Sequence, residues 1–377
     1  MIQCQRHLFD IPRDVAYLNC AYISPIPAAS RTAGDAGMAR KSMPWTIKPQ
    51  DFYSESESTR SLFAELIGAT TEDIAIIPSV SYGIGIAARN VAFNEGQTII
   101  VLDEQFPSNV YPWRRLAGER GGTVITIPSP SDGDWGTAVI GAMDDRTAVV
   151  ALPHCLWTDG GLVDLERVSN ACKQNGTALV IDATQSLGAL PLDVTRVRPD
   201  FLVSACYKWL LGPYSLGFIY ISPEHQNGEP LEQTWIGREN SEDFSGLINY
   251  RDTFQPGARR FDVGERSNFA LMPVARSSLE LIKAWGVDQI AETLGAITHD
   301  VATRAQALGL TSQPESLRAN HFLGIRFPGG MPPNLVENLS AADVHVSVRG
   351  TSMRITPHLY NDTYDVDRLF DALEASL

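Results

Sequence analysis

A chain of 377 residues can bury a large core and has room for two domains, and its 44% hydrophobic and 20% charged content excludes a disordered or collagen-like polypeptide. A formal net charge of −14 sets nucleic acid and anionic membrane surfaces aside as partners, because both are bound by clustered Lys and Arg. Any anionic ligand must be held by a local site.

The opening "MIQCQRHLFDIPRDV" has no apolar core of signal-peptide length, and no later run reaches the roughly 18 to 20 apolar residues of a membrane span, so the expectation is a cytoplasmic chain. Five scattered cysteines (Cys4, Cys20, Cys155, Cys172, Cys206), never in C-x-x-C spacing, argue against a disulfide framework or a zinc site. From about residue 72, short β-branched runs alternate with helix-period segments. The runs "IAIIP", "TIIVLD", "TVITIP", "TAVVALP", "TALVID", "FLVSA" and "GFIYIS" predict seven strands. Between several of them lie the helical patterns "SYGIGIAARNVA", "NVYPWRRLAGER" and "DLERVSNACKQNG", the last ending on a glycine suited to a C-cap. This alternation predicts an α/β fold with a doubly wound, mostly parallel sheet. Asn227 to Arg260, rich in Gly, Pro and polar residues, reads as a long excursion. Two helical patterns follow ("LMPVARSSLELIKAW", "VDQIAETLGAITHDVATRAQAL"), then short strands ("NHFLGIRF", "VHVSVRG", "SMRITP") and a closing helix, "VDRLFDALEASL". The expected organisation is an arm (1–15), a large domain (16–258) and a smaller carboxy-terminal α+β domain (259–377).

Asp182 ends the apolar run "ALVID", and open α/β sheets place ligand-binding groups at such strand ends, although a helix N-cap is an equally open reading. Lys208 follows the run "FLVSA" and, alone, reads as a solvated strand-end lysine. Together, a carboxylate and an amine at one sheet edge meet the needs of pyridoxal 5′-phosphate. The amine forms an imine with the aldehyde, and the carboxylate keeps the pyridine nitrogen protonated. In "IPSVSYGIGIAARN", Ser79, Ser81 and the start of a helix supply a phosphate cradle. A nicotinamide nucleotide fits less well, because the full G-x-G-x-x-G is absent.

The order strand-Ser-helix, "DEQFPSNVYPW", "IDATQSLGALPLDV", "SACYKWLLGP" and "MRITPHLYNDTYDVDRLF" resembles the class V aminotransferase superfamily of fold type I pyridoxal phosphate enzymes, which includes cysteine desulfurases, kynureninases and isopenicillin N epimerase-like proteins. The resemblance runs from about Tyr17 to the last helix. It implies a large domain with a mostly parallel seven-stranded sheet, a smaller carboxy-terminal domain, and a homodimer. It further implies that Lys208 bears the Schiff base, that Asp182 pairs with the pyridine nitrogen, and that Gln185 bonds the ring's 3-oxygen. Ser81 matches the phosphate-binding hydroxyl, with Val80 adding its backbone N–H, and Ser204 and Tyr207 add contacts from the lysine loop. Phe106 matches the ring-stacking aromatic, often histidine in desulfurases, and cannot shuttle a proton. Arg354 matches the arginine for the substrate α-carboxylate, while Asn19, Ala21 and Tyr22 match the loop lining the substrate side. Trp157 stands where many relatives carry asparagine. "RRFDVGERSN" resembles the stretch that reaches a neighbouring subunit's cofactor phosphate, with Gly264-Glu265 in place of Gly-Thr, which leaves the backbone or Ser267 for that contact. His154 and His358 receive no role.

Persulfide chemistry is disfavoured, because "VHVSVRGTSMRI" contains no cysteine and Cys206 sits two residues before Lys208. What remains is Cα deprotonation by Lys208 of an α-amino acid, a small-molecule substrate. Transamination is the leading expectation, ahead of β-elimination as in C–S lyases. Epimerisation asks for a second base, which Tyr22 or Tyr207 would have to supply. A non-catalytic, cofactor-sensing regulator is set aside, because no DNA-binding segment is visible and Lys208, Asp182, Gln185 and Arg354 are all competent residue types.

Overall fold

The seven apolar runs form one sheet in the computed structural model, which describes residues 1–377. Its strands are β1 (Ile74–Ile77), β2 (Thr98–Leu102), β3 (Thr123–Ile127), β4 (Thr147–Pro153), β5 (Ala178–Asp182), β6 (Phe201–Ala205) and β7 (Gly217–Ile221). Their spatial order is β3-β2-β4-β5-β6-β7-β1, with every neighbouring pair parallel except those of β7, which runs antiparallel to both β6 and β1. Alternate residues feed two separate cores. Ile100 and Leu102 of β2 join Leu152, Ile181 and Leu202, while Ile99 and Val101 join Val149, Val180 and Val203. Burial on both faces is why these strands read as continuous apolar runs. The edge strand β3 keeps Thr123 and Thr126 exposed.

Two helices that periodicity does not announce precede the sheet: α1 (Ala28–Lys41) and α2 (Asp51–Leu66). Then come α3 (Val80–Asn90), α4 (Tyr111–Arg120), α5 (Trp135–Ala142) and α6 (Leu165–Asn175). Ser79 caps α3 by accepting the Tyr82 N–H, and α6 ends on Gly176 in the left-handed conformation. The Asn227 to Arg260 stretch contains only short 3-10 turns, at Phe244–Gly246 and Gly257–Phe261. Beyond it, α7 (Leu271–Trp285) packs on α1 and α2 and leads into α8 (Val287–Ala307).

The carboxy-terminal strands β8 (Thr311–Ser312), β9 (Leu323–Arg326), β10 (Ser347–Arg349) and β11 (Ser352–Ile355) form an antiparallel sheet ordered β10-β11-β9-β8. With α9 (Leu335–Ala341) and α10 (Thr363–Glu374) it builds a third core around Ile325, Met353, Ile355, Leu369 and Phe370. Ala16–Tyr17 pairs in parallel with Val344–His345, and Asn19 bridges Thr356, so the amino-terminal segment runs beside the end of β11. No helix is long and apolar enough to cross a membrane.

Candidate active site

Strands β5 and β6 are parallel neighbours, with Asp182 opposite Val203, so their carboxyl ends open on one edge of the sheet. Asp182 closes β5, and Lys208 lies in the tight loop after β6. That loop is held by Leu211 N–H donating to Lys208 O (3.0 Å) and Gly212 N–H to Cys206 O (2.9 Å). Leu211 and Ser215 take positive φ (53° and 64°), a strain of about 1–3 kcal/mol each that collects at functional sites. The loop after Asp182 lies directly on it. Gly188 (φ 98°) has no room for a side chain, since a Cβ would stand 2.3 Å from the Trp209 carbonyl oxygen. Trp209 Nε1 then donates to Gln185 Oε1 (3.0 Å), joining the two loops.

Lys208 is 5% exposed, and its Nζ has neither a hydrogen-bond nor an ion-pair partner. Burial pulls the amine from its ordinary 10.5 to about 8; Asp182 pulls the other way and loses. Asp182 is 7% exposed and accepts the Thr184 N–H at Oδ1 (3.0 Å). Burial lifts its carboxyl above the ordinary carboxylate value against the Thr184 bonds and the Lys208 charge. Both face a cavity of about 260 Å³, also lined by Val80, Ser81, Phe106, Gln185 and Tyr207. At one end Ser79 Oγ and Ser81 Oγ lie 3.0 Å apart at the start of α3, where first-turn N–H groups have no helical partners. An aromatic wall stands near the amine. Lys208 Nζ is 5.3 Å from the Phe106 ring centre, and Phe106 meets Trp157 edge to face at 5.3 Å. Trp157 Nε1 is committed to Glu104 O (2.6 Å).

Arg354, on β11, is 1% exposed and has no acidic partner. Its Nε and Nη2 donate to Ser347 Oγ (3.0 and 2.6 Å) and its Nη1 to Trp157 O (2.8 Å). Burial, with Arg349 adding to it, pulls the guanidinium down to about 9, and it remains a cation at neutral pH. Asn19 meets this arginine through Ser347, whose hydroxyl donates to Asn19 Oδ1 (2.8 Å).

Several expected contacts change. Ser204 does not line the cavity; along β6 it alternates away and is fully buried, its hydroxyl donating to Ala205 O (3.4 Å). Ala205, which lacks a hydroxyl, faces the cavity instead. Ser108, Tyr214 and Ser215 supply the further hydroxyls on that wall; they lie in a short 3-10 turn (Pro107–Asn109) and in the loop before β7, where no periodic signal points to them. Gln185 is partly spent, because its Nε2 donates to Ala21 O (3.2 Å), leaving one amide hydrogen. Tyr22 is 56% exposed and outside the cavity. The Ser267 hydroxyl is taken by Phe52 O.

An unpartnered buried amine, a buried carboxylate, a hydroxyl-lined helix start and an aromatic wall form a donor set that fits pyridoxal 5′-phosphate. The sheet order and this site define an α/β enzyme of fold type I. The chain matches the family model for aminotransferase class-V over residues 47–369 and belongs to that family, whose cofactor is pyridoxal 5′-phosphate. It is 28% identical over 339 residues to an uncharacterized aminotransferase, YcbU, of Bacillus subtilis, covering 85% of this chain and 84% of the relative. It is 25% identical over 383 residues to isopenicillin N epimerase of Streptomyces clavuligerus, covering 96% and 94%. Among solved structures, a mutant of C-DES with glycine covalently linked to its PLP cofactor shares the fold at a TM-score of 0.88 and 19% identity, over 98% of each chain.

Proposed function

We propose that this class V enzyme is an aminotransferase acting on an α-amino acid, with Lys208 moving the proton. The observation that carries the reading is the buried, unpartnered Lys208 amine, brought to about 8 beside a buried carboxylate. Pyridoxal phosphate, when bound, supplies an aldehyde for an amine and an electron-poor ring that accepts the electron pair left when Cα loses its proton. Ser81, the Val80 N–H and Tyr207 would hold its phosphate, Asp182 would keep its ring nitrogen protonated, and Gln185 would give its remaining amide hydrogen to the ring oxygen. Phe106 would cover the ring and keep water out. Arg354 would take the substrate α-carboxylate through the two N–H groups that Ser347 and Trp157 leave free, with Asn19 positioning Ser347.

Lys208, about half neutral at pH 8, would take the proton from the substrate Cα and carry it within the cavity, the proton movement that transamination asks of this chain. Epimerisation needs a second base. Burial raises the Tyr207 hydroxyl to about 12, Tyr22 stands at the surface, and the Trp157 N–H is already committed. Persulfide formation needs a reactive thiolate, and burial pushes the thiols of Cys20, Cys155 and Cys206 up instead. β-Elimination is served equally by a single lysine base, so the test separates it from transamination. Mixing the holoenzyme stoichiometrically with a panel of amino acids, without a keto-acid acceptor, should bleach the visible cofactor band stably and release one keto acid per site. Recovery of the band while ammonia and keto acid accumulate over many turnovers would overturn transamination in favour of a β-eliminating lyase.

A further inference from the structure

The hairpin β10–β11 carries more positive charge than one carboxylate requires. Its register pairs Ser347 with Arg354 and Arg349 with Ser352, so Arg349 and Arg354 are diagonal neighbours on one face, a spacing of about 7–8 Å in such ladders. Both guanidinium groups lie against Trp157, which lines the cofactor cavity. Arg349 Cζ is 5.4 Å and Arg354 Cζ 5.9 Å from its ring centre. A third arginine of this sheet, Arg326, pairs with Asp159 at 2.8 Å. Neither Arg349 nor Arg354 has such a partner. Arg354 keeps two N–H groups after its bonds to Ser347 and Trp157, enough for one carboxylate. Arg349 is half-buried and donates once, to the carbonyl of Val348 (2.7 Å), which leaves most of its fork unused. Glu104 approaches the hairpin turn, its Oε1 3.9 Å from where a Cβ on Gly350 would stand, yet it forms no ion pair with Arg349. In a chain of net charge −14, two adjacent guanidinium groups without acids are a site for anions brought by a ligand.

We propose that Arg349 is a specificity-determining residue that binds a carboxylate on the substrate side chain, so that the substrate class is the acidic α-amino acids. Arg354 holds the α-carboxylate and Arg349 the distal one, with the Trp157 ring within cation–π distance of both. This rests on the amino acid chemistry proposed above, and the test therefore reads binding apart from turnover. The holoenzyme is titrated with glutarate and with butyrate, which cannot react, following the shift of the visible cofactor band. Release of keto acid from glutamate and from glutamine is measured in parallel. Glutarate should bind on the order of 10- to 100-fold more tightly than butyrate, the scale of one charged hydrogen-bonded contact. Arg349→Gln should abolish that preference, with the loss falling on glutarate, and Arg349→Lys should restore part of it. Equal binding of the two acids by the native protein overturns the proposal. So does an Arg349→Gln variant that weakens both alike, since Arg349 would then share the α-carboxylate or support the fold. A glutarate preference that depends on Arg349, without keto acid from glutamate, supports this inference while overturning the aminotransferase reading.

Discussion

Desolvation sets the proton affinity of Lys208. Its ammonium form is buried with no protein acceptor, so the neutral amine gains at its expense, and the neutral amine is the form that attacks an aldehyde. The folded value lies below the ordinary 10.5, at about 8, which fixes the sign: the reactive fraction grows with pH, is half-complete at about 8 and is nearly complete about one unit higher. Stopped-flow capture of pyridoxal phosphate by the apoprotein should therefore have its midpoint near pH 8 and level off about one unit above it, and a rate still climbing past pH 10 would contradict the burial argument. Asp182→Asn should leave a borohydride-trappable adduct on Lys208 but slow keto acid release roughly 10²- to 10³-fold, the usual loss when one electrostatic stabiliser is removed. Lys208→Ala should abolish the adduct. The placement of Asp182 and Lys208 at or just beyond strand ends and of Ser81 at a helix start was legible in the sequence, because apolar runs mark the one and small polar residues the other. Ser204 was misread for a physical reason: "FLVSA" is buried on both faces, so nothing in the run reveals which side each residue takes. Ser347 and Arg349 were silent, because their closeness to Arg354 depends on a hairpin register that composition does not specify.

At the scale of elements, the seven strands and the long helices α7 and α8 were readable, while α1 and α2 were not. In α2 the buried face includes Ser56, Thr59 and Arg60 beside Phe63 and Ala64, so no apolar stripe appears. In α1 the contact with α7 is made by closeness rather than by apolar bulk: a Cβ on Gly34 would lie 2.6 Å from Val274 Cγ2 of α7, and one on Gly37 would lie 1.9 Å from the Phe269 carbonyl oxygen just before that helix. The polar face of α2 has its own logic. Arg60 is fully buried and grips Asp262 through two bonds (3.0 and 2.8 Å), Asp262 also accepts the Ile76 N–H (2.7 Å), and Arg266 pairs with the same carboxylate. One acid thus ties α2, β1 and the segment after the 3-10 turn at Gly257–Phe261. Replacing it leaves two buried cations with only Glu57, at 3.2 Å from Arg60 and 3.4 Å from Arg266, to share. Asp262→Asn should cost about 3–5 kcal/mol, the scale for breaking a buried ion pair from one side, seen as a lower urea midpoint. A loss below about 1 kcal/mol would mean that water or relaxation compensates the arginines, and that packing alone holds α2.

Across the whole molecule, the packing behind the active-site loops makes the fold sensitive to acid in a defined window. His154, His321 and His358 are held by burial at about 3, 4 and 3, below their ordinary 6.5, with His358 lacking a partner for either ring nitrogen. His321 Nε2 donates to Gln185 O (2.6 Å) and its ring meets Trp209 edge-on at 4.3 Å, so it props both loops that shape the cavity. The unfolded chain binds protons at these sites from about pH 6.5 downward, whereas the folded chain resists until about pH 4 or 3. The stability they contribute is therefore complete above about pH 6.5 and is lost as the pH falls, by up to about 1.4 kcal/mol per pH unit for each histidine. Glu57 acts lower down. Burial works to raise it, but Arg60 and Arg259 outweigh that and hold it at about 2, so its contribution is present above about 4.5 and fades toward 2. Between pH 6.5 and 5 the slope thus belongs to the histidines. Urea midpoints measured over that interval should fall steeply for the native protein and less so for His358→Leu, by an amount equivalent to about one proton. The visible cofactor band should be lost in step with unfolding, because the lysine and glutamine loops rest on the same buried rings. An identical pH slope in the variant would mean that His358 is already charged in the folded state, against the burial that surrounds it.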